Sequence, residues 1–177
     1  MTRLEFIPAG PQHARLWHQW RKDADALKFN PMSEMPIDLL EDRLHQCSGD
    51  LSNETYHEYR WMLDDGNALI GTVSLHQVSW PHLHADVGYQ IDAAHQGRGL
   101  GTLAVRLLVQ KAFQESRLHR LIALIHSENT ASIKIVQKLG FQHEGTMRSH
   151  FQINGQFVDE DVYGLLRSEW QHPLASD

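Results

Sequence analysis

The run from His95 to Thr102, His-Gln-Gly-Arg-Gly-Leu-Gly-Thr, has the residue types and spacing to hold an anion. Glycine lets backbone N–H groups turn toward a ligand with no Cβ in the way, and the positive end of a following helix adds to them. A phosphate-bearing cofactor is the expected guest. Two other glycine motifs are excluded by spacing. Gly97, Gly99 and Gly101 are one residue short of the dinucleotide G-x-G-x-x-G, and Gly101 leads into Thr102-Leu103 where a nucleotide P-loop needs Lys-Ser/Thr. Further on, Asn129, Ser132 and Val136 fall at i, i+3 and i+7, which places an amide and a hydroxyl on one helix face. Of the 13 histidines, His82-x-His84 could share a strand face, but no carboxylate and third ligand follow at a recognisable spacing, so no metal is expected. Cys47 is the one cysteine, which rules out an internal disulfide or a thiolate zinc cluster.

These residues need elements to hold them. After the loop, Leu100, Leu103, Ala104, Leu107 and Leu108 recur at helical spacing, and Val105, Val109 and Phe113 form a second apolar row. The helix is expected to be covered on two sides, with a narrow polar strip of Arg106, Gln110 and Gln114. Before the loop, Ala85 to Asp92 alternates: Ala85, Val87, Tyr89 and Ile91 on one face, Asp86, Gly88 and Gln90 on the other. Tyr59 to Leu63 and Ala68 to Val78 read as a hairpin around Asp64-Asp65-Gly66-Asn67. Arg120 to Ile125 reads as a central strand covered on both faces. Asn129 or Thr130 caps a helix that Gly140 ends, and Thr146 to Ile153 with Gln156 to Leu166 forms a closing hairpin around Asn154-Gly155.

Toward the N-terminus, Leu4 to Ile7 is a short strand, and Ala14, Leu16, Trp17, Trp20 and Leu27 suggest one amphipathic helix whose tryptophans belong to the core. Asn30-Pro31 breaks the pattern, and a second helix opens at Pro36, with Leu44 and Cys47 completing its face and Gly49 ending it. Ser168 to Asp177 reads as a tail. A chain of 177 residues suits one domain, and a net charge of -6 without a long basic run argues against a nucleic-acid surface. No stretch reads as a signal peptide or a membrane span, which together with the lone cysteine suggests a cytoplasmic setting.

Gln96 to Gly101 fits the pattern Gln/Arg-x-x-Gly-x-Gly/Ala. With Gly88-Tyr89, Asn129 and Ser132, and Lys138-Leu139-Gly140-Phe141 before a hairpin, it resembles the GNAT acyl-CoA N-acyltransferases over nearly the whole chain. Asn129-x-x-Ser132, Gly140-Phe141-x-x-Glu144-Gly145 and Asn154-Gly155…Asp159…Tyr163 resemble the RimJ/RimL-type, ribosomal-protein N-terminal acetyltransferases. The resemblance implies an α/β (α+β) fold, with a mixed, mostly antiparallel twisted sheet flanked by helices and splayed central strands, as one domain over 1–177. It implies acetyl-CoA as co-substrate, with Gln96, Gly97, Arg98, Gly99, Leu100, Gly101 and Thr102 at the pyrophosphate and Tyr89, Gln90 and Ile91 along the pantetheine arm. A backbone N–H near Ile91 would polarise the thioester carbonyl, a contact worth roughly 3 to 4 kcal/mol in the transition state. Asn129 would bind the arm or an ordered water. Many members carry a tyrosine that protonates the leaving thiolate, and the matching residue here is Val136, so Ser132, one turn nearer the helix N-terminus, would take that contact. The two N-terminal helices and their loop would wall the acceptor site, and a homodimer is compatible with the family.

The reaction implied is direct attack of a primary amine on acetyl-CoA within a ternary complex. Such an amine is largely protonated at neutral pH and must lose a proton first. Asp86, on the strand leading to the loop, is the first candidate base; as a bare strand aspartate it would simply be solvated. Asp159, Glu160 and Asp161 would attract a cationic acceptor or form a polar strand edge. Cys47 is remote from the motif, so no acyl-cysteine is expected. Acceptors in view are a protein N-terminal amine, an amino acid, a polyamine or an aminoglycoside. The alternative is a non-catalytic acyl-CoA-binding sensor or scaffold, which Val136 keeps open.

Overall fold

The computed structural model describes residues 3–29 and 35–171. Their strands are β1 (Glu5–Pro8), β2 (Tyr59–Asp64), β3 (Leu69–Ser79), β4 (His84–Ile91), β5 (Arg120–His126), β6 (Gln142–Ile153) and β7 (Gln156–Leu166). The helices are α1 (Ala14–Arg21), α2 (Ala24–Phe29), α3 (Ile37–His45), α4 (Leu100–Glu115) and α5 (Thr130–Lys138). The strands form one sheet in the order β1-β2-β3-β4-β5-β7-β6, antiparallel except between β4 and β5.

The turn between β2 and β3 is built by its aspartates. Asp64 accepts from the Gly66 N–H at 2.8 Å, Asp65 accepts from Asn67 and Ala68, and Gly66 takes φ +90°. Alternation along the strands then sorts side chains by face. Trp61, Leu63, Val73, Leu75, Ala85, Val87 and Ile91 pack under α4 and α5 in the larger core. Met62 joins Trp17, Trp20, Leu40 and Leu44 in a smaller core beneath α1 and α3. Both tryptophans are buried, as their apolar spacing predicts.

α4 is sandwiched as expected: Leu100, Ala104, Val105, Leu108, Val109, Ala112 and Phe113 are buried. α5 ends in a Schellman motif, with the Phe141 N–H donating to the Val136 carbonyl, the Gly140 N–H donating to Gln137, and Gly140 at φ +90°. An L-residue there costs roughly 1–2 kcal/mol. Gly140→Ala is therefore expected to lower the urea midpoint by about that stability while leaving the folded far-UV spectrum unchanged; an unaltered midpoint would contradict the motif.

Five sequence expectations need correction. The first helix is two, because the chain pauses at Lys22 and restarts where the Asp23 carbonyl accepts from the Leu27 N–H. α3 stops at His45, so Cys47 lies past it, buried, with its thiol donating to the Leu44 carbonyl at 3.3 Å. β5 is not covered on both faces: Leu121, Ala123 and Ile125 are buried, whereas Leu124 stays 37% exposed. Part of the tail is structured, since Trp170 packs on the larger core. The closing hairpin starts earlier than expected, at Gln142. The Asn30-Pro31 break and residues 172–177 lie outside the described residues.

Candidate active site

β4 pairs with β3 from Gly71↔Ile91 to His76↔Asp86, but with β5 only at His84↔Arg120, Ala85↔Leu121 and Asp86↔Ile122. Past Asp86 the parallel pair opens. The β5-facing backbone groups of the following β4 residues therefore have no strand partner, and a wedge-shaped gap runs between Val87–Ile91 and Ala123–His126. The gap is part of a cavity of about 860 Å³, and the exposure of Leu124 is exposure to this cavity.

One end of the cavity is the glycine loop. Gly97 and Gly99 take φ +75° and +77°, and a Cβ on either would project into open space, so backbone conformation selects glycine and leaves room for a guest. Gly99 is the N-cap of the 16-residue α4 and supplies no side chain to cap it. The first-turn N–H groups of α4 lack intrahelical acceptors, and the helix dipole favours an anion beside them. Gln96 ties the loop to β4 by donating from Nε2 to the Ile91 carbonyl at 3.0 Å. Gly101 sits where α4 meets α5, with its Cβ position 3.0 Å from Ile135 Cδ1. These features fit a pyrophosphate-bearing cofactor. Arg98 does not line the cavity; its guanidinium donates to the Ala94 carbonyl at 3.1 Å.

The other predicted residues, Tyr89, Gln90, Ile91, Gln96, Gly97, Gly99, Leu100, Gly101, Thr102, Asn129, Ser132 and Asp86, all line it. Asn129 is also the N-cap of α5, its Oδ1 accepting from the Ser132 N–H at 3.1 Å. Tyr89 reaches the same turn, its hydroxyl donating to the Ser132 carbonyl at 3.5 Å, and burial pushes its phenol up to about 12. Val136 is fully buried in the larger core.

Asp86 faces the cavity at the point where the strands part. Burial, and then the nearby Glu160 carboxylate, push its carboxyl up to about 6. Strand alternation divides the acidic trio of β7. Asp159 accepts from the Ser149 N–H and Asp161 from the Thr146 hydroxyl, both toward β6, whereas Glu160 is 7% exposed, lines the cavity and meets His150 Nδ1 at 2.8 Å. Burial raises Glu160 against the pull of His150. His150 was invisible as a partner because the two residues meet only across the β6–β7 hairpin.

Sequence reasoning also missed Arg60, Thr72, Ser74 and His76, which line the cavity from β2 and β3. The available signal was the alternation of 72, 74 and 76 as polar positions inside an otherwise apolar run.

A parallel pair splayed beside a glycine-turned helix N-terminus defines a protein that binds a phosphate-bearing cofactor at the edge of an open cleft. Residues 3–142 match the family model described as Acetyltransferase (GNAT) domain, and the chain belongs to that family, whose co-substrate is acetyl-CoA. The chain is 41% identical to the probable N-acetyltransferase YjcK of Bacillus subtilis over 118 residues, 66% of this chain and 65% of that protein, so the match spans just under two thirds of the relative. It is 31% identical to the spermidine N(1)-acetyltransferase of Escherichia coli over 161 residues, 87% of this chain and 81% of that one. The structure of the Vibrio cholerae spermidine N-acetyltransferase in complex with CoA and spermine superposes with a TM-score of 0.86 at 22% identity, covering 96% of this chain and 99% of that one, which is a likeness of fold.

Proposed function

We propose that this chain is an acetyl-CoA-dependent N-acetyltransferase that passes the acetyl group to a primary amine attacking directly in the cavity. The observation that carries the reading is the opening of β4 from β5 immediately past Asp86, which sets a raised carboxyl and a glycine-turned anion cradle at two ends of one strand segment. Acetyl-CoA supplies the activated acyl group. Backbone N–H groups at Gly97, Gly99 and the first turn of α4 bind its pyrophosphate, and the unpaired edge of Val87–Ile91 aligns its arm. Asp86, ionised above about pH 6, takes the proton from the incoming ammonium, and the neighbouring Glu160 keeps its basicity high. Ser132, on the turn that Asn129 caps, is our donor to the departing sulfur in place of the tyrosine that Val136 displaces. The RimJ/RimL-type branch is supported by the Asn129-x-x-Ser132 pair, while the spermidine-acetylating relative supports a wider set of acceptors. A single domain in a cytoplasmic setting completes the reading, in keeping with the one buried cysteine, whose thiol burial pushes up to about 11.

Val136, sealed in the core, favours the rival reading of a non-catalytic acyl-CoA sensor. Release of free thiol from acetyl-CoA over an amine panel separates the two. We expect amine-dependent release, and a fall of about tenfold or more in kcat for Ser132→Ala with KM for acetyl-CoA little changed. Tight acetyl-CoA binding with no release for any amine would establish the sensor.

A further inference from the structure

The main cavity has a smaller neighbour of about 350 Å³, beside the chain that enters β2 and the end of β3. Its walls are polar, Gln46, Thr55, His57 and Gln77 among them. The space opens where β3 stops following β4. Their ladder is irregular between His76 and Ser79, Gln77 takes φ +49°, and the Val78 N–H donates to the His57 carbonyl at 3.1 Å. Among the described residues, His76 and Arg43 alone belong to the walls of both cavities.

His76 stands next to the candidate base. It is the β3 partner of Asp86 in register, and such partners share a face with Cβ atoms about 4.5–5.5 Å apart. The imidazole leans along the sheet over Gly88, where an added Cβ would stand 3.1 Å from its Cε1 and 3.4 Å from its Nδ1. Glycine at 88 therefore leaves the ring its place. Nδ1 is buried without a hydrogen-bond partner, so packing positions the ring on that side. Burial first, then Arg60, brings the imidazole down to about 4 while Glu58 pulls the other way, and near pH 7 the ring is neutral. It acts there as bulk, not as charge. Arg43, the other shared wall, is tied down separately, its Nε donating to Glu58 at 2.8 Å.

We propose that His76 is a specificity-determining residue: its ring closes the acceptor site on the β3 side and limits the length of chain that a primary amine at Asp86 can extend toward the second cavity. The inference rests on the acetyl-transfer reading above and deepens it. An amine presented to Asp86 has His76 as its neighbour on that side, so a chain growing that way meets a packed ring. Forcing further atoms against such a ring is unfavourable in the way that overfilling a core is. Behind the ring the space is polar, so a chain that passed it would end best in a hydrogen-bonding group such as a hydroxyl.

The test is thiol release from acetyl-CoA by the full chain with linear amino alcohols of increasing length, beside the wider amine panel. The parent is expected to lose kcat/KM as the chain lengthens. His76→Ala should raise the ratio of long to short acceptors by about tenfold or more, mainly through KM, the range that a few methylenes command in a pocket. His76→Phe, which fills the same space without the ring nitrogens, should keep the parent's ratio. His76→Thr, shorter yet suited to a strand, should shift the ratio as alanine does even where alanine weakens β3. A merely structural role changes all lengths alike, so a ratio unmoved by alanine and threonine would overturn the proposal. Equal shifts for His76→Phe and His76→Ala would overturn it too, since selection would then lie in the nitrogens and not in the bulk. So would release confined, in parent and variants alike, to amines outside the series. Each of these results leaves the acetyltransferase reading standing. Acetyl-CoA binding without release by any amine would remove both.

Discussion

Asp86→Asn is expected to lose activity by about 10²- to 10⁴-fold, the contribution typical of a positioned general base, and yet to be more stable than the parent above pH 6. Both effects have one cause. Burial first, and Glu160 second, raise the Asp86 carboxyl from 3.8 to about 6. The folded protein thus binds this proton more tightly than the unfolded chain does, and stability falls as pH rises from about 4 through 6. At pH 7 to 8 the ionised carboxylate is a liability that an amide removes. Because Asp86 opens onto a cavity reached by solvent, screening reduces that gain to about 1 kcal/mol. Below pH 4 the two proteins should unfold together, since aspartic acid and asparagine are then both neutral. In the parent, kcat/KM should rise through an apparent pKa near 6, which belongs to the Asp86–Glu160 pair jointly, and level off above it. Urea titrations and rate profiles from pH 4 to 8 check both halves. A variant that keeps the acid limb and the parent turnover would show that the base lies elsewhere.

The legible parts of this molecule are those whose cause is local. Gly97, Gly99 and Gly140 stand where φ is positive, and the turn at Asp64 to Asn67 is held by its own aspartates, so short stretches of sequence carry the full reason for their shape. Strand alternation likewise put Asp86 opposite Val87 before any fold was known. What stayed hidden depends on distant partners or on empty space. Leu124 is as apolar as Leu121, and nothing in Arg120 to Ile125 tells a side chain that packs from one that borders a cavity. Arg60 is the one charge in the apolar run Tyr59 to Leu63; it gains meaning only when α1 brings Trp17 against it and α3 brings Arg43 to Glu58, the carboxylate that Arg60 also pairs with. Glu160 separates from Asp159 and Asp161 only once β7 is paired on both sides. The glycine loop and the β4 edge leading to it are therefore written in a continuous stretch of chain, while the polar row that faces the cavity from the other side is assembled from β2, β3, α1 and α3.

That difference makes the glycine loop, our proposed pyrophosphate site, the sharper place for a single substitution. Gly99→Asp is expected to leave the free protein folded and to abolish its stabilisation by acetyl-CoA. Aspartate tolerates the left-handed conformation better than most residues and is a favoured N-cap, so α4 keeps a competent first residue. Its Cβ meets no atom within 4 Å. The carboxylate, however, stands where the loop would receive a pyrophosphate. Two like charges 4 Å apart repel by about 4 kcal/mol at an effective dielectric of 20, enough to weaken binding by about a hundredfold or more. Acetyl-CoA at a hundred times its dissociation constant adds about 2.7 kcal/mol to the parent, or about 5 to 10 °C in Tm for a chain of this size. The aspartate variant should show almost none of that shift at the same concentration. Gly99→Ala separates the two components, since it carries the backbone strain without the charge. It should unfold at a lower temperature alone and still respond to acetyl-CoA. Equal shifts for the parent and Gly99→Asp would place the pyrophosphate away from this loop, and the alignment of the arm along Val87–Ile91 would fall with it.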